Sequence, residues 1–209
     1  MAGPVPDGDG DGDGDGDAVT ILRDRIRALQ TASASASASP VMVALDGRSG
    51  VGKSTLAARV GNGALVIDGD DFYRGGDDAY WDARSPAEKV DLAIDWRRQR
   101  DLLECFGRAE PVSWRPYDWD ADDGRLGQEI TRGPAGVVIL DGAYSARPEL
   151  ARLFSLRVLL DVPRHVRRAR LLQREGPRYR AEWEARWSEA EDLYFKRLMP
   201  PSAFDLVLS

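Results

Sequence analysis

Apolar residues fall into short dense runs along this chain, separated by polar and glycine-rich stretches. Val41 to Leu45, Ala64 to Ile67, Val137 to Leu140 and Leu156 to Leu160 have the length and character of buried parallel strands. Phe204 to Leu208 is a last apolar run, read as an added strand. The intervening segments change to helical spacing. Val19, Leu22, Ile26 and Leu29 share one face of a short amphipathic helix over 18–30, with Arg23, Asp24, Arg25 and Arg27 elsewhere. Thr55 to Val60 continues as helix, with Gly61 as its stop. Ala181 to Leu198 reads as one long helix halted by Pro200 and Pro201. On it, Trp183, Trp187 and Tyr194 lie near one face and are assigned to core or interface. Strands alternating with helices predict an α/β fold: a mainly parallel sheet with helices on both faces, a three-layer α/β/α sandwich.

Composition narrows the organisation. The 209 residues suit one domain, and 43% hydrophobic residues suffice for a core. The net charge of −6 belongs to a tail: residues 7–17 read DGDGDGDGDGD, with six aspartates and no base. Without them, 29 acids face 29 bases, so the body is formally neutral and gives no general reason to expect nucleic-acid binding. The repeat is not an EF-hand loop, which needs glycine at position six and glutamate at position twelve. Counted from Asp7, position twelve is Ala18; counted from Asp13 it is Asp24, but position six is then Ala18. Residues 1–17 are therefore expected to be disordered, 18–30 helical and packed on the domain, 31–40 (TASASASASP) a flexible linker, and 41–209 the domain itself. One cysteine, Cys105, and one histidine, His165, leave no material for a disulfide framework or a histidine-rich metal site. No apolar run approaches the ~18 residues of a membrane span, and no signal peptide is evident, so a cytoplasmic location without membrane partners is expected.

The chemistry begins after the first strand. Gly47 to Ser54, GRSGVGKS, matches G-x-x-x-x-G-K-[ST] at every fixed position, between a strand and a helix. Glycines let the backbone curl until several N–H groups point at an anion. The helix N-terminus adds partial positive charge. Gly47, Ser49, Gly50, Val51, Gly52, Lys53, Ser54 and Thr55 are the expected nucleotide-binding residues. Lys53 reaches the β- and γ-phosphates of ATP, and the Ser54 hydroxyl ligates Mg²⁺. The N-K-x-D motif of GTPases and the L-S-G-G-Q motif of ABC ATPases are absent, and an AAA module calls for more chain. Small kinases remain.

A kinase also needs an acceptor site, a second carboxylate near the metal and mobile arginines. The second strand leads into DGDDFYR, where Asp68, Asp70 and Asp71 are all candidate bases. Trp114, Tyr117 and Trp119 cluster in a proline-containing segment and can pack or stack on a base. Val137 to Leu140 ends at Asp141, placing a carboxylate toward the metal. Asp161, after the next strand, is read as the cap of the helix that follows. That stretch carries seven arginines between Arg164 and Arg180, suited to phosphate charge, with a turn at Gly176 and Pro177.

From Val41 to Leu208 the chain resembles the uridine kinase branch of the P-loop kinases, related to phosphoribulokinase and pantothenate kinase. GRSGVGKST, DDFYR, AIDW at Ala93 to Trp96, PYDW at Pro116 to Trp119, VVILDG and the arginine-rich segment carry the resemblance, in that order. It implies a P-loop NTPase fold and ATP-dependent, Mg²⁺-dependent transfer to a small-molecule hydroxyl. Asp70 is then the base, and Arg167, Arg170 and Arg174 in a lid around 164–180 contact the triphosphate, with Arg170 stabilising the transferring group. Tyr73, Asp95 and Tyr117 hold the acceptor, and Asp141 with Ser54 holds the metal. The implied acceptor is a nucleoside, uridine or cytidine. The sequence departs from the family in two places. The histidine that follows Y-D-F is replaced by the acidic DADDGR segment, and the usual Glu-Gly after the late strand is Asp141-Gly142. A kinase for another small alcohol is thus the second reading. A nucleotide-binding regulatory module engaging a partner through helix 18–30 is the third. Homo-oligomerisation is left open.

Overall fold

The first strand, β1 (Val41–Asp46), is buried along its whole length. Its side chains alternate between two cores: Val41, Val43 and Leu45 enter one, Met42 and Ala44 the other. β5 (Val137–Asp141) divides the same way, with Val137 and Ile139 against Val138 and Leu140. Such strands require cover on both faces. The computed structural model, which describes residues 13–33, 39–60, 63–176 and 181–209, supplies it. On one face lie α1 (Asp13–Ser33) and α2 (Lys53–Val60), contributing Leu22, Ile26, Leu56, Ala57 and Val60. On the other lie α4 (Pro86–Leu92), α5 (Trp96–Gly107) and α7 (Ala181–Leu193), contributing Val90, Leu102, Leu103, Phe106 and Ala190.

The sheet has the order β2-β5-β1-β6-β7, with β2 at Leu65–Asp68, β6 at Leu156–Leu160 and β7 at Leu206–Leu208. Every pairing in it is parallel. All five strands lie where the apolar runs predicted them, and the three-layer sandwich stands. Its register matters for the site. Asp68 pairs with Asp141, and Leu45 with Asp141, so β2, β5 and β1, which ends one residue later at Asp46, deliver acidic residues to one edge.

The pattern did not predict α3 (Asp78–Asp82), α4 and α5, or a hairpin of β3 (Val112–Trp114) and β4 (Ile130–Arg132). The chain between the hairpin strands carries Tyr117, Trp119 and the acidic DADDGR segment. α6 (Arg164–Glu175) carries the first five arginines of the basic stretch; Pro177, Arg178 and Arg180 lie outside the described residues.

Two boundaries are corrected. α1 starts inside the Asp-Gly repeat and runs past Gln30, so residues 13–17 and 31–33 are helical rather than disordered tail and linker. Its apolar face packs on α2 and β1, and once nucleated the helix propagates beyond the buried stretch. Thr20 Oγ1 donates to Gly16 O, and Thr31 Oγ1 to Arg27 O, in the added turns. Arg23 also donates to the Arg59 carbonyl at the end of α2. The rest of the tail (1–12), most of the linker (34–38) and Gly61 lie outside the described residues. Asp161 does not cap α6. Pro163 occupies the cap position with no side-chain bond, while the Asp161 N–H pairs with Leu208 O.

Candidate active site

The glycine loop leaves β1 through Asp46, which is fully buried. Its carboxylate accepts from Gly47 N (2.8 Å), Tyr144 N (3.0 Å), Ala146 N (2.9 Å) and the Tyr194 hydroxyl (2.9 Å). Burial raises its pKa to about 6 despite these donors. One side chain thus pins the loop's start to the segment after β5 and to the end of α7. Tyr144 takes φ 65, an uncommon value for a bulky residue, held by this bond and by packing on Tyr194.

Gly50 has φ 79, and a Cβ there would stand 2.7 Å from Arg167 O and 2.8 Å from Leu171 Cγ. The loop therefore lies flush against α6. Ser49 donates its N–H and its hydroxyl to Glu191 Oε1 on α7, both at 2.8 Å. Arg48 pairs with Asp192 at 2.7 Å. Lys53 Nζ curls back onto Gly47 O (2.8 Å) and Arg48 O (3.3 Å), over the space the loop encloses.

That space is a cradle of about 450 Å³. Gly50, Gly52, Lys53, Ser54 and Thr55 line one side, Asp68, Asp70 and Asp141 the next, and Arg170 and Arg174 the third. Ser54 donates to Asp141, whose pKa is raised by burial. Asp141 Oδ1 is buried without a hydrogen-bond partner among the described residues. A hydroxyl beside an unpaired carboxylate oxygen fits a hard divalent cation. Among the described residues no group of three His, Cys, Asp or Glu could hold a metal.

The three acidic candidates after β2 separate. Asp68 Oδ1 accepts the Asp70 N–H at 2.9 Å, capping a short 3₁₀ turn over Gly69–Phe72. Asp71 accepts from Trp114 Nε1 at 2.8 Å and faces the hairpin. Asp70 opens into the cradle and also into a second, larger cavity. Protein atoms crowd its other sides. This desolvation, with Asp68 and Asp141 close by, raises its pKa to about 6 against the pull of Lys53 and Arg174.

The second cavity holds about 800 Å³. Tyr73, Trp81, Trp119, Trp183 and Trp187 form its aromatic walls, and Asp77, Asp122 and Asp123 lie at its rim. Tyr73 stacks on Trp119 at 5.0 Å and 14°, and meets Trp81 at 6.0 Å.

Not every predicted residue lines these spaces. Val51 is buried beneath the loop, accepting from Arg170 Nη1 at 2.7 Å through its carbonyl. Arg167 sits behind the loop, donating to Ser49 O (3.3 Å) and Val162 O (3.2 Å), and does not border the cradle. Asp95 accepts from Arg98 N at 3.3 Å as the cap of α5 and is not among the larger cavity's walls. Tyr117 is buried behind that wall, its ring edge-on to Tyr73 and Trp119 and its hydroxyl donating to Asp122 at 2.7 Å. Trp183 and Trp187, assigned to core or interface, contribute to the core and also face the cavity. Glu191 and Asp46 were missed; nothing local in the sequence marks a distant carboxylate that grips the loop.

A phosphate-cradling loop at the carboxyl edge of a parallel sheet, faced by carboxylates and arginines, defines a P-loop nucleoside triphosphate-binding fold. The chain belongs to the P-loop kinase family whose model, described as AAA domain, matches residues 43–193. The length argument against an AAA assignment does not apply to a model of this extent. A curated uridine kinase of Deinococcus deserti is 32% identical over 143 residues, covering 65% of this chain and 69% of the relative. A solved structure from Bacillus stearothermophilus, described as a possible uridine kinase, superposes with a TM-score of 0.63 at 22% identity, covering 90% of this chain and 100% of its own. A candidate fructose transport system kinase from Silicibacter sp. TM1040 gives 0.59 at 25% identity, covering 88% and 98%. The fold and the kinase class follow. Among the described residues no helix is long and apolar enough to cross a membrane.

Proposed function

We propose that the protein transfers the γ-phosphoryl group of ATP to a hydroxyl of a small molecule. The carrying observation is that Asp70 borders both the phosphate cradle and the aromatic cavity. A donor in one and an acceptor in the other would meet at this carboxylate. Asp70 accepts the hydroxyl proton, the acceptor oxygen bonds to the γ-phosphorus, and the bond to the β–γ bridging oxygen breaks, leaving ADP. Lys53 and the loop N–H groups hold the β- and γ-phosphates, and Thr55 lies at the same N-terminus of α2. Ser54 and Asp141 would hold Mg²⁺, which supplies charge neutralisation on the phosphates. Arg170 and Arg174 would balance the charge spread over the transferring group.

A nucleoside such as uridine or cytidine is the first acceptor class, supported by the Deinococcus relative and by the stacked Tyr73 and Trp119. A different small alcohol is the second reading. Its supporting observation is the acidic segment, with Asp122 and Asp123 at the rim of the cavity, where the family carries a histidine.

ADP release from Mg-ATP across a panel of nucleosides and small alcohols tests the reaction. Acceptor-dependent turnover is expected, abolished in Lys53→Ala. In Asp70→Asn turnover falls by about 10²–10⁴-fold while ATP binding persists. Turnover insensitive to Asp70→Asn would remove the base.

A further inference from the structure

We infer that the cavity selects an organic cation, a hydroxyl compound that also carries a fixed or protonated nitrogen, which favours the second acceptor reading over uncharged uridine or cytidine. The hydroxyl rests on the kinase reading above; the charge rests on the cavity alone. Among the described residues six carboxylates line it, against the one guanidinium of Arg186. That cation is already committed, bonded to Asp78 at 2.7 Å and to Asp82 at 2.6 and 3.1 Å. Asp123 is matched by Arg125, and Glu191 lies near Arg48 and Arg167. Asp77 and Asp122 have no cationic partner among the described residues. Among the described residues the cavity therefore carries uncompensated negative charge, and the field of such a concave site is focused by its low-dielectric walls.

Those walls are aromatic. Trp119 is 51% exposed, with Tyr73 stacked behind it, so indole surface is open to a ligand in the space the acids surround. Aromatic faces with nearby carboxylates attract a cation and give a phosphorylated, anionic acceptor no partner. Asp122 holds φ 45 while accepting from the Tyr117 hydroxyl, so its carboxylate is fixed at the rim by the aromatic cluster. One chemistry has two sources: a nucleoside with a charged base, or an amino alcohol.

Two matched pairs distinguish charge from shape. Choline is compared with 3,3-dimethylbutan-1-ol, and 3-methylcytidine, charged at neutral pH, with cytidine. Binding is read by tryptophan fluorescence with Mg-ADP present, and transfer by ADP release from Mg-ATP. The cation of at least one pair should bind about 10-fold more tightly than its neutral partner, and the successful pair identifies the source. The double variant D77N/D122N should shrink that preference several-fold, and Asp77→Asn retains a side-chain oxygen for the α3 cap. Neutral partners binding as well as the cations, a preference unchanged in the variant, or no binding by any probe would overturn the inference. Cation-selective binding with no transfer to any acceptor would leave the inference standing and defeat the kinase reading instead.

Discussion

Glu191 accepts the backbone N–H and the hydroxyl of Ser49 with one oxygen, both at 2.8 Å, from 142 residues along the chain. It is 4% exposed. The carboxylate shapes the phosphate loop from outside, and α7 thereby becomes part of the nucleotide site. Glu191→Ala removes the shared acceptor of both bonds and leaves a part-buried N–H unmet, at a cost of about 1–3 kcal/mol. The melting temperature should fall, and ATP affinity should fall with it. Titration calorimetry with a non-hydrolysable ATP analogue checks the second effect; unchanged affinity would mean the loop keeps its shape unaided.

Gly50 is a loop position with little room. Gly50→Ala places a methyl group 2.7 Å from Arg167 O at a φ of 79°. The loop must shift off α6, so nucleotide binding should be lost while far-ultraviolet circular dichroism is kept. Retained ATP binding would show that α6 yields instead.

Acid should act on rate and stability in opposite directions. Asp70 works as a base only when ionised, so kcat/KM should rise with pH through about 6 and level off above it. The residual activity of Asp70→Asn should lack that limb. For stability, the folded pKa values of Asp46 and Asp70 lie above the ordinary 3.8, so the folded state binds more protons between pH 4 and 6. Their contribution is therefore fully present below about pH 4 and is lost as pH rises through about 6. Melting curves at several pH values check the sign, and Asp46→Asn should flatten part of the slope.

Leu22 is fully buried between α1, α2 and the sheet. Leu22→Ala should destabilise the domain by about 2–5 kcal/mol, measured by urea unfolding. A change within about 0.5 kcal/mol, the range of ordinary surface substitutions, would detach α1 from the core.

The sequence made the phosphate loop and the sheet legible because their signals are local. Five apolar runs stand between polar breaks, and the glycine spacing of the loop admits little else. Asp141 was placed by its position after a strand, whereas Asp70 was singled out from Asp68 and Asp71 only by the family resemblance. What escaped depends on distance. Asp95 sits where an acceptor contact was expected, yet the start of α5 claims its carboxylate. Arg167 shares the composition of Arg170 but lies at the back of the loop, a matter of helix phase against Gly50. Ser85 and Glu88 form a capping box with Pro86 at the first turn of α4, a signature that S-P-A-E did offer. The aromatic cavity draws Tyr73, Trp119 and Trp187 from three separate segments, and no pattern within one segment could announce it.

The strand order has a consequence for synthesis. β1 pairs only with β5 and β6, so Val43 has no sheet neighbour until Ile139 and Leu156 are available. Parallel pairing across such separations is slow and leaves apolar strands waiting. Asp46 waits longer still, since Tyr194 supplies its fourth donor. As the chain leaves the ribosome, the phosphate loop is made well before the segments that complete its final surroundings.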